Sequence, residues 1–335
     1  MQETARTKYK LYSMNLELTT ACPLRCPQCY CTLESGRHID LDLAKERIDE
    51  AVALGLQSLN LSGGETLCYP HLCELISYAS KRVKDVNIAI SGIFFDQSKF
   101  DSLVEAGVSE ISVSLNGSTA EINSLTRQGF DYAIKALDLL KKNNFTHTVI
   151  NWVMHSNNSY DFTNMLNLAE KYNVGSILVL GLKPDSKNML NSLPNLDQID
   201  YVSKTIKAHT GKTKIYLESC YSNFLAYHLE TKLFGNMNVS ERKGCGAGRD
   251  GLSVNVDGEY TPCRHISVTE AFESMESYWD DSKMLEMLRN VENNSKEPCS
   301  MCYYRKYCRH CQAISWYTNG EFALGFKQCS VYKPI

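Results

Sequence analysis

The chain has 335 residues, of which 43% are hydrophobic and 22% charged, with a formal net charge of −3 and no basic block. That composition suits a soluble globular protein with one large and one smaller domain, and nucleic acid is not the partner it points to. No apolar run approaches the ~20 residues that span a bilayer, so no membrane segment is expected, and residues 1–12 lack the apolar core of a signal peptide, which points to the cytoplasm.

From Met14 to Leu182, short apolar segments rich in β-branched residues alternate with segments of helical periodicity. The strand segments are Met14–Leu18, Ser58–Leu61, Val86–Ile90, Ile111–Leu115, Thr146–Val153 and Ser176–Leu182. The helical ones are Leu41–Leu54, Pro70–Val83, Gln97–Ala106, a stretch with Phe130, Ala133, Ile134, Leu137 and Leu140 on one face, and Asp161–Tyr172. Six β–α units imply a parallel α/β sheet, either a partial (β/α)6 TIM-like barrel or an open doubly wound sheet. In both, ligands sit at the C-terminal ends of the strands.

A helix is expected over Asn195–Lys212, then a bridge through Phe234. Beyond Gly244 the texture changes. Leu252, Val254 and Val256 alternate with polar residues before Asp257-Gly258, a hairpin signal. A helix over Ser282–Val291 precedes a cysteine-dense coil, poor in core residues, that metal coordination would order. The domains expected are therefore 1–215, a bridge at 216–244, and 245–335.

Fourteen cysteines are the anomaly, and in a reducing compartment clustered cysteines more often hold metal than form disulfides. Cys22, Cys26 and Cys29 follow the first strand directly, on one loop. Three thiolates there can wrap a corner of a four-iron cubane and leave one iron open to chelate an amino and a carboxylate group. The alternatives are idle thiols or zinc, with Cys31 or His38 completing the set.

The C-x3-C-x2-C spacing after a first strand resembles the radical S-adenosylmethionine superfamily, which implies the partial (β/α)6 barrel and a [4Fe-4S] cluster bound by three cysteines plus S-adenosylmethionine. The family usually has an aromatic residue before the third cysteine, where this chain has Gln28, with Tyr30 just after. Ser62-Gly63-Gly64-Glu65 resembles the family's segment that receives the methionine amino group of the cofactor. Ser114-Leu115-Asn116-Gly117 resembles its ribose-contacting turn, and Arg127 matches an arginine that pairs with the cofactor carboxylate. Ser91 and Asn151 fall at strand ends and could touch the same cofactor.

The second cysteine set runs Cys245, Gly258, Cys263, then Cys299-x2-Cys302-x5-Cys308-x2-Cys311, and Cys329. It resembles the SPASM domain of radical enzymes that modify peptides, with one residue fewer before Cys311 and Arg309-His310 where that family tends to have glycines. The resemblance implies an outer auxiliary cluster on Cys299, Cys302, Cys308 and Cys329, and an inner one on Cys245, Cys263 and Cys311. The inner fourth ligand is left open among Asp250, His265, water and a substrate thiolate. A zinc ribbon of Cys299, Cys302, Cys308 and Cys311 is the alternative, though five residues between its pairs is short. Cys31, Cys68 and Cys73 read as ordinary thiols. Cys220 lies in the bridge, where a hydrogen-atom donor could stand, although a structural thiol is the simpler reading.

Taken together, the resemblances imply an enzyme that cleaves S-adenosylmethionine to a 5′-deoxyadenosyl radical and takes a hydrogen from a ribosomally made precursor peptide. The product would be a thioether or carbon–carbon crosslink, or an inverted centre. Only 21 residues precede Cys22, so the expectation is that a separate protein recognises the leader or that the leader binds elsewhere on this chain, with flavodoxin or ferredoxin as electron donor. A formylglycine-forming sulfatase maturase and a small-molecule dehydrogenase are the alternatives.

Overall fold

The computed structural model describes residues 9–31, 36–184, 188–231, 244–323 and 325–335, with side chains at 188, 225 and 228–231 left out. The Phe234 end of the expected bridge and most of the N-terminal segment lie outside these residues.

Six parallel strands form first: β1 (Ser13–Thr19), β2 (Ser58–Gly63), β3 (Asp85–Ile90), β4 (Glu110–Ser114), β5 (Thr148–Met154) and β6 (Ser176–Gly181). Their neighbours in the sheet follow chain order without reversal. A doubly wound sheet would reverse at a switch point, so this is the partial barrel. Between the strands lie α1 (Leu41–Ala53), α2 (Leu72–Ala79), α3 (Gln97–Ala106), α4 (Ala120–Ser124), α5 (Phe130–Lys142) and α6 (Phe162–Lys171). Their apolar faces, such as Ala133, Ala136, Leu137 and Leu140 of α5, are buried in the core with Leu16, Leu59, Ile88 and Ile150 of the strands.

After α7 (Leu196–Ala208), the sheet gains β7 (Lys214–Leu217), parallel to β6. β7 gives no sequence signal because it is a four-residue edge strand with no buried residue. α8 (Ser222–Thr231) follows. The hairpin of β8 (Gly251–Val254) and β9 (Tyr260–Thr261) then joins the opposite edge, β8 lying parallel to β1 with Ser13 opposite Gly251. One nine-stranded sheet therefore carries both cysteine groups.

Two differences from the expected elements have local causes. The helix expected over Ser282–Val291 is Lys283–Arg289, started where Ser282 adopts extended backbone and accepts from Leu285 N–H, and a helix that was not expected, Met275–Asp281, precedes it. The expected coil after Cys311 contains a helix, Gln312–Asn319, whose Gln312–Ser315 face is buried. Among the described residues no helix is long and apolar enough to cross a membrane.

Candidate active site

The loop of Cys22, Cys26 and Cys29 leaves β1 at its C-terminal end and docks on the segment after α4. Arg25 N–H donates to Gln128 Oε1 (2.8 Å), Gln28 N–H to the Thr126 carbonyl (3.4 Å), and Gln128 N–H to Cys26 Sγ (3.4 Å). Arg25 also bonds back to the Cys22 carbonyl at 2.6 Å.

Gly63 and Gly64 bring the end of β2 against the same loop. Gly64 N–H donates to the Thr19 carbonyl (2.6 Å) and Glu65 N–H to that of Ala21 (2.8 Å). A Cβ on Gly63 would strike the Thr19 carbonyl, and one on Gly64 that of Ala21. Gly63 also has φ +132°, which disfavours any side chain.

Glu65 is buried at 2% exposure, and its carboxylate accepts from both the N–H (2.9 Å) and the hydroxyl of Ser91 and from Leu67 N–H (3.2 Å). Burial raises its pKa, opposed by those bonds and by Arg127.

One cavity at the strand ends is lined by all three loop cysteines, by Gly63, Gly64 and Glu65, and by Ser91, Ser114, Arg127 and Asn151. The structure thus brings together every expected front-site residue except Asn116. Asn116 is buried behind the cavity, where its amide donates to Thr126 Oγ1 (2.9 Å) and accepts from Val153 N–H (3.0 Å).

Three polar atoms on the cavity wall are buried without a partner: Ser62 Oγ, Arg127 Nε and Asn151 Oδ1. A buried polar atom costs free energy unless something bonds it, so this wall suits a polar ligand with carboxylate and hydroxyl groups, as S-adenosylmethionine has.

Cys31 also reaches this cavity. Its thiol lies within hydrogen-bond reach of the Gly63 carbonyl (3.1 Å) and of the Cys29 sulfur. That bond, then the charges of Arg127 and Arg25, hold Cys29 down at about 6 against burial, whereas burial lifts Cys22 to about 11.

Lys183 and Arg264, not singled out from the sequence, complete the cavity together with His265, which the sequence offered only as an inner-cluster ligand, and His155 stands behind Gln28 of its wall. His155, at the end of β5, bonds Gln28 through Nε2 while its buried Nδ1 has no partner, and burial lowers its pKa to about 4. Lys183, just beyond β6, is buried and ion-paired with Glu218. Arg264 and His265 arrive from the segment after β9, and the His265 ring lies 4.4 Å from that of Tyr30. His155 and Lys183 could have been found by looking at strand ends. Arg264 could not, because only the pairing of β8 with β1 brings it here, and the same pairing brings His265 to the front cavity.

The second cysteine set divides between two further cavities. Cys299, Cys302, Cys308 and Cys329 line one. There Phe326 N–H donates to Cys299 Sγ (3.4 Å), Asn223 Nδ2 to Cys329 Sγ (3.7 Å), and Ser222 Oγ lies 3.5 Å from Cys308 Sγ. Cys245, Cys263 and Cys311 line the other, together with Cys220, Asp250 and His265.

Arg309 and His310, in place of small residues, anchor the turn before Cys311. Arg309 Nε donates to Glu292 (2.5 Å), and His310 Nε2 lies 2.9 Å from Ser315 Oγ. Among the described residues, no three His, Cys, Asp or Glu side chains converge as the ligands of one metal ion would. Thiolates on the corners of a multi-iron cluster stand wider apart than those around a single ion.

The front cavity and the Cys245–Cys263–Cys311 cavity adjoin. Ser62, Asn151, Leu180, Lys183, Arg264 and His265 line both.

Residues 16–169 match the radical SAM superfamily. The chain is 24% identical over 336 residues to the AdoMet-dependent heme synthase of Methanosarcina barkeri, covering 95% of each. It is 26% identical over 325 residues to the PqqA peptide cyclase of Gluconobacter oxydans, covering 90% of this chain and 86% of that one. Among solved structures, Streptococcus suis SuiB bound to the precursor peptide SuiA superposes with TM-score 0.76 at 15% identity, over 96% of this chain and 76% of that one.

Proposed function

Since the chain belongs to the radical SAM superfamily through residues 16–169, we propose that it is a maturase that takes hydrogen from a ribosomally made precursor peptide and crosslinks or inverts a residue in it. The relatives named peptide cyclase and the likeness to a fold solved with its precursor peptide support a peptide substrate. An external flavodoxin or ferredoxin would supply electrons in the cytoplasm.

In this reading residues 1–215 form the radical core, 216–244 the bridge and 245–335 the SPASM domain. Cys22, Cys26 and Cys29 would hold the first [4Fe-4S] cluster, which with S-adenosylmethionine supplies a 5′-deoxyadenosyl radical. Arg127 would receive the cofactor carboxylate, the Gly63–Glu65 segment its ammonium group, and Ser91, Ser114 and Asn151 its remaining polar groups. The three buried, unpartnered atoms on this wall are what such a ligand would satisfy. Cys299, Cys302, Cys308 and Cys329 would hold an outer auxiliary cluster, and Cys245, Cys263 and Cys311 an inner one.

The observation that carries the reading is the wall common to the two cavities. A peptide residue held there by Lys183 and Arg264 would lie between the radical source and the inner cysteines. Substrate positioning and exclusion of water are the protein's part of such chemistry.

A second reading has support from the heme synthase relative, which matches over nearly its whole length: oxidation of a tetrapyrrole in the same cavity. Mass spectrometry separates the two. Reconstituted enzyme with a short peptide encoded beside its gene should yield deoxyadenosine and a peptide that has lost a pair of hydrogens or gained deuterium. An unchanged peptide beside a converted porphyrin would overturn the first reading.

A further inference from the structure

The inner cysteine set counts three residues, one short of a closed cubane. The cavity they share is lined by a fourth thiol, Cys220. It comes not from the cysteine-rich segment but from the turn after β7, and that turn is firmly built. Glu218 is ion-paired with Lys183 and accepts from Gly181 N–H at 3.2 Å. Tyr221 N–H closes the turn on the Glu218 carbonyl at 3.0 Å. The Tyr221 ring is buried, with its hydroxyl 3.4 Å from Met154 Sδ. So held, Cys220 faces the cavity that Cys245, Cys263 and Cys311 line.

We propose that Cys220 is the fourth thiolate of the inner auxiliary cluster, an inference that rests on the auxiliary-cluster reading above. The other donors beside the three cysteines include Asp250 and His265. The His265 ring packs on Tyr30. The Asp250 carboxylate packs against Gly246, whose carbonyl accepts from Asp250 N–H at 3.0 Å. Thiolate is also the donor that iron–sulfur clusters ordinarily take.

This assignment narrows the function. A sulfur bound to iron has no hydrogen atom to give, so Cys220 is not the donor that inversion of a centre would require. A cluster closed by four of the chain's own sulfurs also has no corner for a substrate thiolate. The inner site is then an electron-transfer site, which fits net oxidative crosslinking.

The test uses the anaerobically reconstituted full chain. Iron and sulfide are counted, and the native protein is alkylated with iodoacetamide and mapped by peptide mass spectrometry. The wild type should bind iron for three cubanes, about four per cluster, with Cys220 as protected as Cys245 and Cys263 and labelled only after iron is stripped. Cys220→Ala should change the electron paramagnetic resonance of the inner cluster or lose about four irons, and Cys220→Ser should retain the iron with a shifted signal. Cys220 alkylated at full iron loading, or a Cys220→Ala spectrum identical to the parent's, overturns the proposal while leaving the auxiliary clusters standing. A wild type that binds iron for the first cluster alone overturns both, and the iron count tells the two failures apart.

Discussion

Ser91 gives both its backbone N–H and its hydroxyl to one oxygen of the buried Glu65 carboxylate. The end of β3 thereby orients the acid that closes the glycine pair of β2. Hydrogen bonds to charged groups contribute about 1.5–3 kcal/mol. Ser91→Ala is expected to weaken S-adenosylmethionine binding by roughly ten- to a hundredfold, with little change in iron content. Equilibrium binding on reconstituted protein checks this, and unchanged affinity would remove Glu65 from the cofactor site.

The four cysteines around the front cavity should not behave alike. Cys26→Ala should abolish deoxyadenosine formation. Cys31→Ala should keep the first cluster's iron, because the Cys31 thiol is directed at the Gly63 carbonyl and the Cys29 sulfur. Cys308→Ala should reduce substrate modification more than cofactor cleavage. Iron analysis and deoxyadenosine assays on the three variants provide the comparison.

Glu17, partly buried on β1, has its pKa raised by burial to about 7, with Arg264 opposing. An acid whose folded pKa exceeds its unfolded value favours the folded state most at low pH. Stability should therefore fall as pH rises from about 4.5 to about 7, by about 3–4 kcal/mol at about 1.36 kcal/mol per unit. Glu17→Gln should flatten the thermal-midpoint profile across that window.

Lys183 and Glu218 are a buried pair, 6% and 17% exposed. Removing one partner strands the other, a loss of about 3–5 kcal/mol, whereas an apolar pair of similar volume can be neutral. Lys183→Met should lower the melting temperature sharply, and Lys183→Met with Glu218→Leu should recover most of it. Equal losses in the two variants would contradict a paired role.

The parallel strands and the front loop were legible in the sequence because their signals are local. β-branched runs mark buried strands, and a three-cysteine spacing after the first of them marks the loop. What was not legible depends on long-range pairing. β7 is too short and exposed to show periodicity, yet it sets the turn that carries Cys220. Arg264 enters the front cavity only because β8 pairs with β1, and that pairing also gives His265, legible only as an inner-cluster candidate, a place there. Asn116 stood at a strand end, where a ligand contact is a fair expectation, but its amide is spent joining the β4 turn to β5.

The central claim is an open iron on the Cys22–Cys26–Cys29 loop that binds S-adenosylmethionine. Electron paramagnetic resonance of the reduced, reconstituted protein with and without S-adenosylmethionine tests it most directly. The account predicts a changed signal on addition in the parent and no such change in Cys26→Ala. A spectrum indifferent to S-adenosylmethionine, or a protein that takes up only zinc, would contradict it.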